Sequence, residues 1–362
     1  MKKDLQGVGK SQAQTLGEWA FTKFAVASGP MARRFAVWVV ASLGTVVAFA
    51  ACTKRPSEAL AQSSATSTAR AASPEVVAPK PSKEPAYRLA VVGDFGSTDD
   101  HEAAVAKLVK SWNPSAILTT GDNIYPDGGG SYDEAVGAYY ADFIGSYHGT
   151  HGSGSPHNRF WPAPGNHDWA GNENLANFRA FFTLPAGPGA GRYYDTPLDD
   201  EGLAHLYVVD SDAHEPDGIG VDSKQAKWLQ DSLRANATKA CFHLVAFHHP
   251  PYTTITGHGP AMALRWPFKA WGADLVLNGH NHHYERLVID GFPYVVSGNA
   301  GAHLYEHRAG VAEGSVFFDD THYGALRLGV ARGELYGESF VAQGGSSATP
   351  VDTFLLKKTC SK

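Results

Sequence analysis

From Tyr87 onward, short apolar runs alternate with segments whose apolar residues recur at helical spacing. Tyr87–Val92, Ala116–Thr119, Leu203–Asp210, Ala240–Phe247 and Ala273–Leu277 are runs of strand length, each closing on Gly, Asp or His. Between them, His101–Trp112 carries Ala104, Val105, Leu108 and Val109 on one face, and Ser223–Ala235 carries Ala226, Trp228, Leu229 and Leu233. Tyr132–Phe143 and Ala261–Trp271 are also expected to be helical. Beyond residue 285 the pattern changes to strands without helices: Arg286–Ile289, Pro293–Val296, Ala325–Ala331, Glu334–Ala342 and Val351–Leu356. Strand–helix alternation followed by β runs predicts two packed sheets flanked by helices in one domain, without internal repeats.

The residues just past the strand ends carry candidate chemistry. Five runs stand out: Gly93-Asp94-Phe95-Gly96, Gly121-Asp122-Asn123-Ile124-Tyr125, Gly165-Asn166-His167-Asp168, Val245-Ala246-Phe247-His248 and Gly279-His280-Asn281-His282. α/β folds place ligands beyond the C-terminal ends of strands. Any one run is ordinary: Gly-Asp is a common turn, and an isolated Tyr on a loop is usually packed rather than functional. Five in this order supply two Asp, one Asn, one Tyr and three His, a donor set suited to two metal ions. His280 and His282, two residues apart, face the same way in extended chain.

Tyr125 discriminates among metals. A phenol, with a pKa near ~10, binds as phenolate only to a strong Lewis acid, which points to Fe(III). Asn166, His248 and His280 suit a divalent ion such as Fe(II), Zn(II) or Mn(II). Asp94, Asp122 and ionised Tyr125 bring three negative charges against five positive, leaving room for a hydroxide nucleophile and a phosphate dianion. Two ions ~3.5–4 Å apart clamp both oxygens of an in-line displacement. His167 is expected to donate a proton to the leaving oxygen, oriented by Asp168. His258, in Gly257-His258-Gly259-Pro260, reaches the same phosphate or is simply an exposed loop residue. His249 and His283, beside ligands, are expected to point elsewhere.

Composition narrows the class further. The chain has 362 residues, 43% apolar and 18% charged, with a formal charge of −6. That suits a sizeable core and gives no basic face for nucleic acid. Ahead of Tyr87 the pattern is different. Met31-Ala32-Arg33-Arg34 is followed by an uncharged apolar run, Phe35–Ala51, and then Cys52. A basic start, an apolar stretch and small residues before a cleavage point make residues 1–51 an export segment. Phe49-Ala50-Ala51-Cys52 resembles a bacterial lipoprotein box, so a periplasmic or cell-surface lipoprotein is expected; a single membrane-spanning anchor is the alternative. Translation from Met1 or from Met31 fits equally. Residues 52–86, rich in Ser, Ala, Thr, Pro and Lys, form a flexible tether. Residues 87–362 are the catalytic domain. In an oxidising compartment Cys241 and Cys360 either pair or remain free thiols.

Together the five runs resemble the calcineurin-like metallophosphoesterase superfamily, and within it the small, single-domain purple acid phosphatases. The resemblance runs from about Tyr87 to at least Gly301. Phe181-Phe182-Thr183-Leu184-Pro185 and Arg192-Tyr193-Tyr194 also fit it, whereas the Gly-rich insert Asp127–Ser155 matches nothing and is a candidate for shaping substrate access. It implies a four-layer fold, a two-sheet β-sandwich flanked by helices. It implies Asp94, Asp122, Tyr125 and His282 around Fe(III), and Asp122, Asn166, His248 and His280 around the divalent ion. His167 and His258 are the implied outer histidines, with Glu285 and Arg286 structural. The expected activity is hydrolysis of small phosphate monoesters by a monomer; a phosphodiesterase or nucleotidase on the same scaffold is the alternative.

Overall fold

The structure is a computed structural model and describes residues 80–307, 310–342 and 349–360. The export segment and most of the tether fall outside the described residues. Among the described residues, thirteen strands form two sheets. β1 (Tyr87–Val92), β2 (Ala116–Thr119) and β3 (Phe160–Pro162) join β11 (Gly324–Ala331), β12 (Glu334–Val341) and β13 (Asp352–Lys357) in the order β13-β12-β11-β1-β2-β3. The second sheet contains β4 (Tyr194–Pro197), β5 (Ala204–Val208), β6 (Phe242–Ala246), β7 (Leu275–Asn278), β8 (Tyr284–Ile289), β9 (Phe292–Ser297) and β10 (Ser315–Asp319), in the order β10-β8-β9-β7-β6-β5-β4. β1, β2 and β3 run parallel, as do β5, β6, β7 and β9.

The central strands are apolar throughout because both of their faces are covered. In β1, Leu89 and Val91 point between the sheets, where they pack with Leu206, Val208, Leu244 and Leu277 of the second sheet. Ala90 and Val92 point outward onto Val105 and Val109 of helix α1 (Asp100–Ser111). Tyr140 of α2 (Ala138–Tyr140), Trp169 of α3 (Asn166–Trp169) and Phe178 of α4 (Ala176–Phe181) join the same cluster. The second sheet is covered by Ala226, Leu229 and Leu233 of α5 (Lys224–Asn236) and by Phe268 of α6 (Phe268–Trp271). The layers are therefore helix, sheet, sheet, helix, as the sequence pattern implies.

Three departures have local causes. The helix expected over 261–271 is broken: Pro267 lacks an N–H and disfavours helical backbone at Trp266, leaving one tight turn at Met262–Leu264 and then α6. The helix expected over 132–143 is irregular, changing pitch at residues 138 and 141. β3, β4 and β10 are short edge strands with Pro, Asp or half-exposed positions, so no apolar run announces them.

The end of the expected tether touches the fold. Ser82 donates from its backbone N and Oγ to the Glu334 carboxylate at 2.7 and 2.6 Å, and Ala86 N donates to the Val330 carbonyl at 3.0 Å. Among the described residues no helix is long and apolar enough to cross a membrane. Cys241 and Cys360, left open above, are joined by a disulfide with Cα atoms 5.1 Å apart.

Under the first ligand run lies a buried acid. Asp99 caps α1 by accepting from His101 N and Glu102 N at 2.9 and 3.0 Å. Glu102 Oε2 accepts from Thr98 N at 2.6 Å, but Oε1 is buried with no partner. Burial pushes the Glu102 carboxyl up to about 9, against the pull of the Thr98 backbone bond. Its folded pKa exceeds the ordinary value of 4.5, so its contribution is full below pH 4.5 and is lost as pH rises toward 9. Glu102→Gln is therefore expected to raise stability relative to wild type at pH 8 by on the order of 2 kcal/mol, and not at pH 4. Thermal melts of both proteins across that range check it; parallel pH curves would contradict it.

Candidate metal centre

Each predicted ligand run caps a strand, and the strand ends of both sheets meet at one edge. Asp94 follows β1, Asp122 follows β2, and Asn166 opens α3 just after β3. His248 follows β6, and His280 and His282 lie between β7 and β8. Backbone bonds knit the loops: Asp94 N donates to Gly121 O at 3.0 Å and Gly279 N to His248 O at 2.9 Å. Asp94, Asp122 and His280 occupy left-handed backbone, with φ of 56°, 51° and 69°. For residues with a Cβ this costs roughly 1–3 kcal/mol each, and such strain concentrates at functional sites. Two glycines permit the close approach. A Cβ on Gly121 would overlap the His248 ring, and one on Gly279 would overlap Asp94 Oδ2.

The seven predicted donors converge in two overlapping groups. Tyr125 Oη lies 3.0 Å from Asp122 Oδ2, 3.3 Å from Asp94 Oδ1 and 3.2 Å from His282 Nε2. His282 Nε2 is 3.4 Å from Asp94 Oδ1. On the other side, His248 Nε2 lies 3.2 Å from Asp122 Oδ2, 3.1 Å from Asn166 Oδ1 and 3.2 Å from His280 Nδ1. Asp122 Oδ2 belongs to both groups. Two imidazoles have their tautomers set from behind: His248 Nδ1 donates to the Thr120 carbonyl at 2.9 Å and His282 Nδ1 to the His303 carbonyl at 2.6 Å. That leaves each Nε2 lone pair facing the cluster, the usual support for a ligating histidine.

The donor set fits two cations. Oxygen and nitrogen atoms about ~2.0–2.2 Å from a common ion lie roughly 3 Å apart, as these do. Asp94 and Asp122 are 0% and 1% exposed, and among the described residues their ion-pair partners are only His248 and His282. Two buried carboxylates side by side without Lys or Arg need compensating charge. The protein alone supplies it by protonation. Burial lowers the His248 pKa, but Asp122 and Asp94 outweigh it and raise the group to about 10. Burial raises Asp122, yet His248 and His167 hold it well below the usual carboxylate range. Burial, then Asp122 and Asp94, push the Tyr125 phenol well above its ordinary value, so a strong cation is needed to displace its proton.

The outer residues divide. The His167 ring lies 4.4 Å from the Tyr125 ring, its backbone N donates to Asp122 Oδ1 at 2.8 Å, and its Nδ1 meets the Pro126 carbonyl. Asp127 Oδ1 is 3.7 Å from the same nitrogen. Asp168 does not orient His167, contrary to the expectation. It is fully buried and accepts from Gly165 N at 2.7 Å, Asn123 Nδ2 at 2.9 Å and Tyr132 Oη at 2.9 Å. Neighbours on a short helix diverge, so Asp168 points inward and locks the turn that presents Asn166 and His167. His258 is exposed, with its ring centroid 4.9 Å from that of His280 and the two planes at 73°.

Structural roles also separate. His283 Nε2 pairs with Glu285 Oε2 at 3.1 Å, and Arg286 makes a bidentate pair with Asp352 at 2.7 and 2.8 Å. His249 lies closer to the cluster than its sequence position suggested: its ring centroid is 4.3 Å from that of His280, and its Nδ1 is 2.9 Å from Ser211 Oγ. Tyr305, which carries no local motif, stacks on His282. The base of the 127–155 insert packs on the ligand turn, with Gly128 N donating to the His167 carbonyl at 2.7 Å.

Comparison with known proteins gives a consistent picture. The family model of the calcineurin-like phosphoesterases matches residues 87–284. Mouse acid phosphatase type 7 is 27% identical over 224 residues, 55% of this chain and 47% of that protein. Purple acid phosphatase 15 of Arabidopsis thaliana is 27% identical over 254 residues, 59% of this chain and 45% of its own. The chain thus spans about half the length of the curated relatives it matches. The solved purple acid phosphatase PPD1 from yellow lupin seeds superposes with a TM-score of 0.57 at 18% identity, covering 78% of this chain and 55% of that one. At that identity the superposition shows a shared fold.

Proposed function

This chain belongs to the calcineurin-like phosphoesterase family, and from that premise we propose that it is a metal-dependent hydrolase of phosphate monoesters, of the purple acid phosphatase type. Tyr125 carries the assignment. Its phenol stands 3.0–3.3 Å from Asp122, Asp94 and His282, and among the described residues no Lys or Arg pairs with the two buried carboxylates. In this scheme Asp94, Asp122, Tyr125 and His282 hold Fe(III), and Asp122, Asn166, His248 and His280 hold Fe(II), Zn(II) or Mn(II). When bound, such a pair supplies Lewis acidity to the phosphoryl oxygens and activates water as the nucleophile.

The protein's own groups do the remaining work. His167 is tethered at Nδ1 by the Pro126 carbonyl, which leaves Nε2 to protonate the departing alcohol oxygen. His258, exposed at the rim, meets phosphoryl oxygens. Asp168 holds the turn rather than a proton. The substrate is a small phosphate ester, in keeping with relatives named for acid phosphatase activity, and the protein acts as a monomer. Residues 1–51 direct export, Cys52 carries a lipid, and residues 52–86 tether the catalytic domain, 87–362, in the periplasm or at the cell surface.

Rates on 4-nitrophenyl phosphate and bis(4-nitrophenyl) phosphate near pH 5, before and after chelation, test this. Faster turnover of the monoester, abolished by chelation, is expected. A preference for the diester would move the assignment to a phosphodiesterase on the same scaffold, and activity that survives metal removal would overturn it.

A further inference from the structure

We infer that Tyr305 is a positioning residue that holds His258 over the metal site for contact with a phosphoryl oxygen. This rests on the proposed phosphate-binding role of His258. Two reciprocal bonds fix the segment carrying Tyr305: His282 Nδ1 donates to the His303 carbonyl at 2.6 Å, and Tyr305 N donates to the His282 carbonyl at 3.2 Å. The Tyr305 ring then stacks on His282 at 4.1 Å and 11°, and His258 stacks on Tyr305 at 5.1 Å and 22°. The three rings rise from a buried ligand, through a half-buried phenol, to an exposed histidine, and so line one wall of the site.

His258 depends on that wall. It sits between Gly257 and Gly259, and Gly259 is in left-handed backbone at φ 68°. Among the described residues no hydrogen bond fixes its imidazole; its ring partners are Tyr305, against which it stacks, and His280, 4.9 Å away at 73°. An aromatic pair favours the stacked arrangement by a factor of roughly 2–10, enough to decide where a rim side chain spends its time. The Tyr305 hydroxyl, 3.4 Å from His282 Nε2, is not required for this; the ring is.

The test is calorimetric titration of the metal-loaded, full-length protein with inorganic phosphate, with metal content measured in parallel. His258→Ala should weaken phosphate binding about tenfold, the loss of one charge-assisted hydrogen bond. Tyr305→Ala should weaken it by a similar factor at unchanged metal content, Tyr305→Phe by less than ~2-fold, and the double alanine variant no more than His258→Ala alone. Additive losses in the double variant, or wild-type affinity in Tyr305→Ala, would overturn the inference. A loss in Tyr305→Phe as large as in Tyr305→Ala would also overturn it, making the hydroxyl a direct contact. Wild-type affinity in His258→Ala would instead remove the parent role of His258, and the positioning role with it. Should Tyr305→Ala not fold, Tyr305→Leu restores volume without a π face and gives the same contrast.

Discussion

Asp122→Ala is expected to lose both metal ions and to lower kcat/KM by at least ~10³-fold, equivalent to about 4 kcal/mol of transition-state stabilisation. Asp122 joins both donor groups to the turn that carries His167. Asp122 Oδ2 lies 3.0 Å from Tyr125 Oη and 3.2 Å from His248 Nε2, so it is common to both donor groups. Its Oδ1 accepts the His167 backbone N–H at 2.8 Å, which ties the proton-donor turn to the metal position. Removing the carboxylate takes away the shared ligand and leaves Asp94 as the one carboxylate among the remaining donors. Elemental analysis together with steady-state kinetics checks the result. A variant that retains two ions per chain would show that the shared position is not at Asp122.

His167→Ala should behave differently. Its backbone bond to Asp122 survives the substitution, so both ions should stay while kcat falls about 100-fold, the usual scale for a lost proton donor. The loss should be large for an alkyl phosphate, whose leaving oxygen needs the proton, and small for 4-nitrophenyl phosphate, which departs as a stable anion. Comparing the two esters with matched metal content separates proton donation from damage to the site. Equal losses on both would assign His167 to binding or support of the loop.

The metal cluster was legible in the sequence for a physical reason. Every ligand but Asn166 follows a strand whose apolar run is visible, and Gly93, Gly121, Gly165 and Gly279 mark where the chain turns tightly beside another run. Side-chain direction was not legible. Asp168 adjoins His167, but consecutive positions on α3 point about ~100° apart, so sequence adjacency misassigned its partner. Tyr305 had no signal at all, since its importance comes from the reciprocal bonds between residues 282 and 303–305. The strands missed were β3, β4 and β10, all edges with a broken or half-exposed pattern. The interior strands, apolar on both faces, fell where the pattern placed them. The same periodicity overran Pro267, because helical spacing of apolar residues continues across a residue that cannot continue the helix.

Ferric iron held by the Tyr125 phenolate is the claim on which the assignment turns, and the visible absorption spectrum of the purified protein beside Tyr125→Phe tests it most directly. Tyr125 contacts both carboxylates and His282, so a phenolate-to-iron band should colour the wild type and vanish in the variant. A colourless wild type that nonetheless carries two metal ions would contradict it, leaving a divalent-metal phosphoesterase in its place.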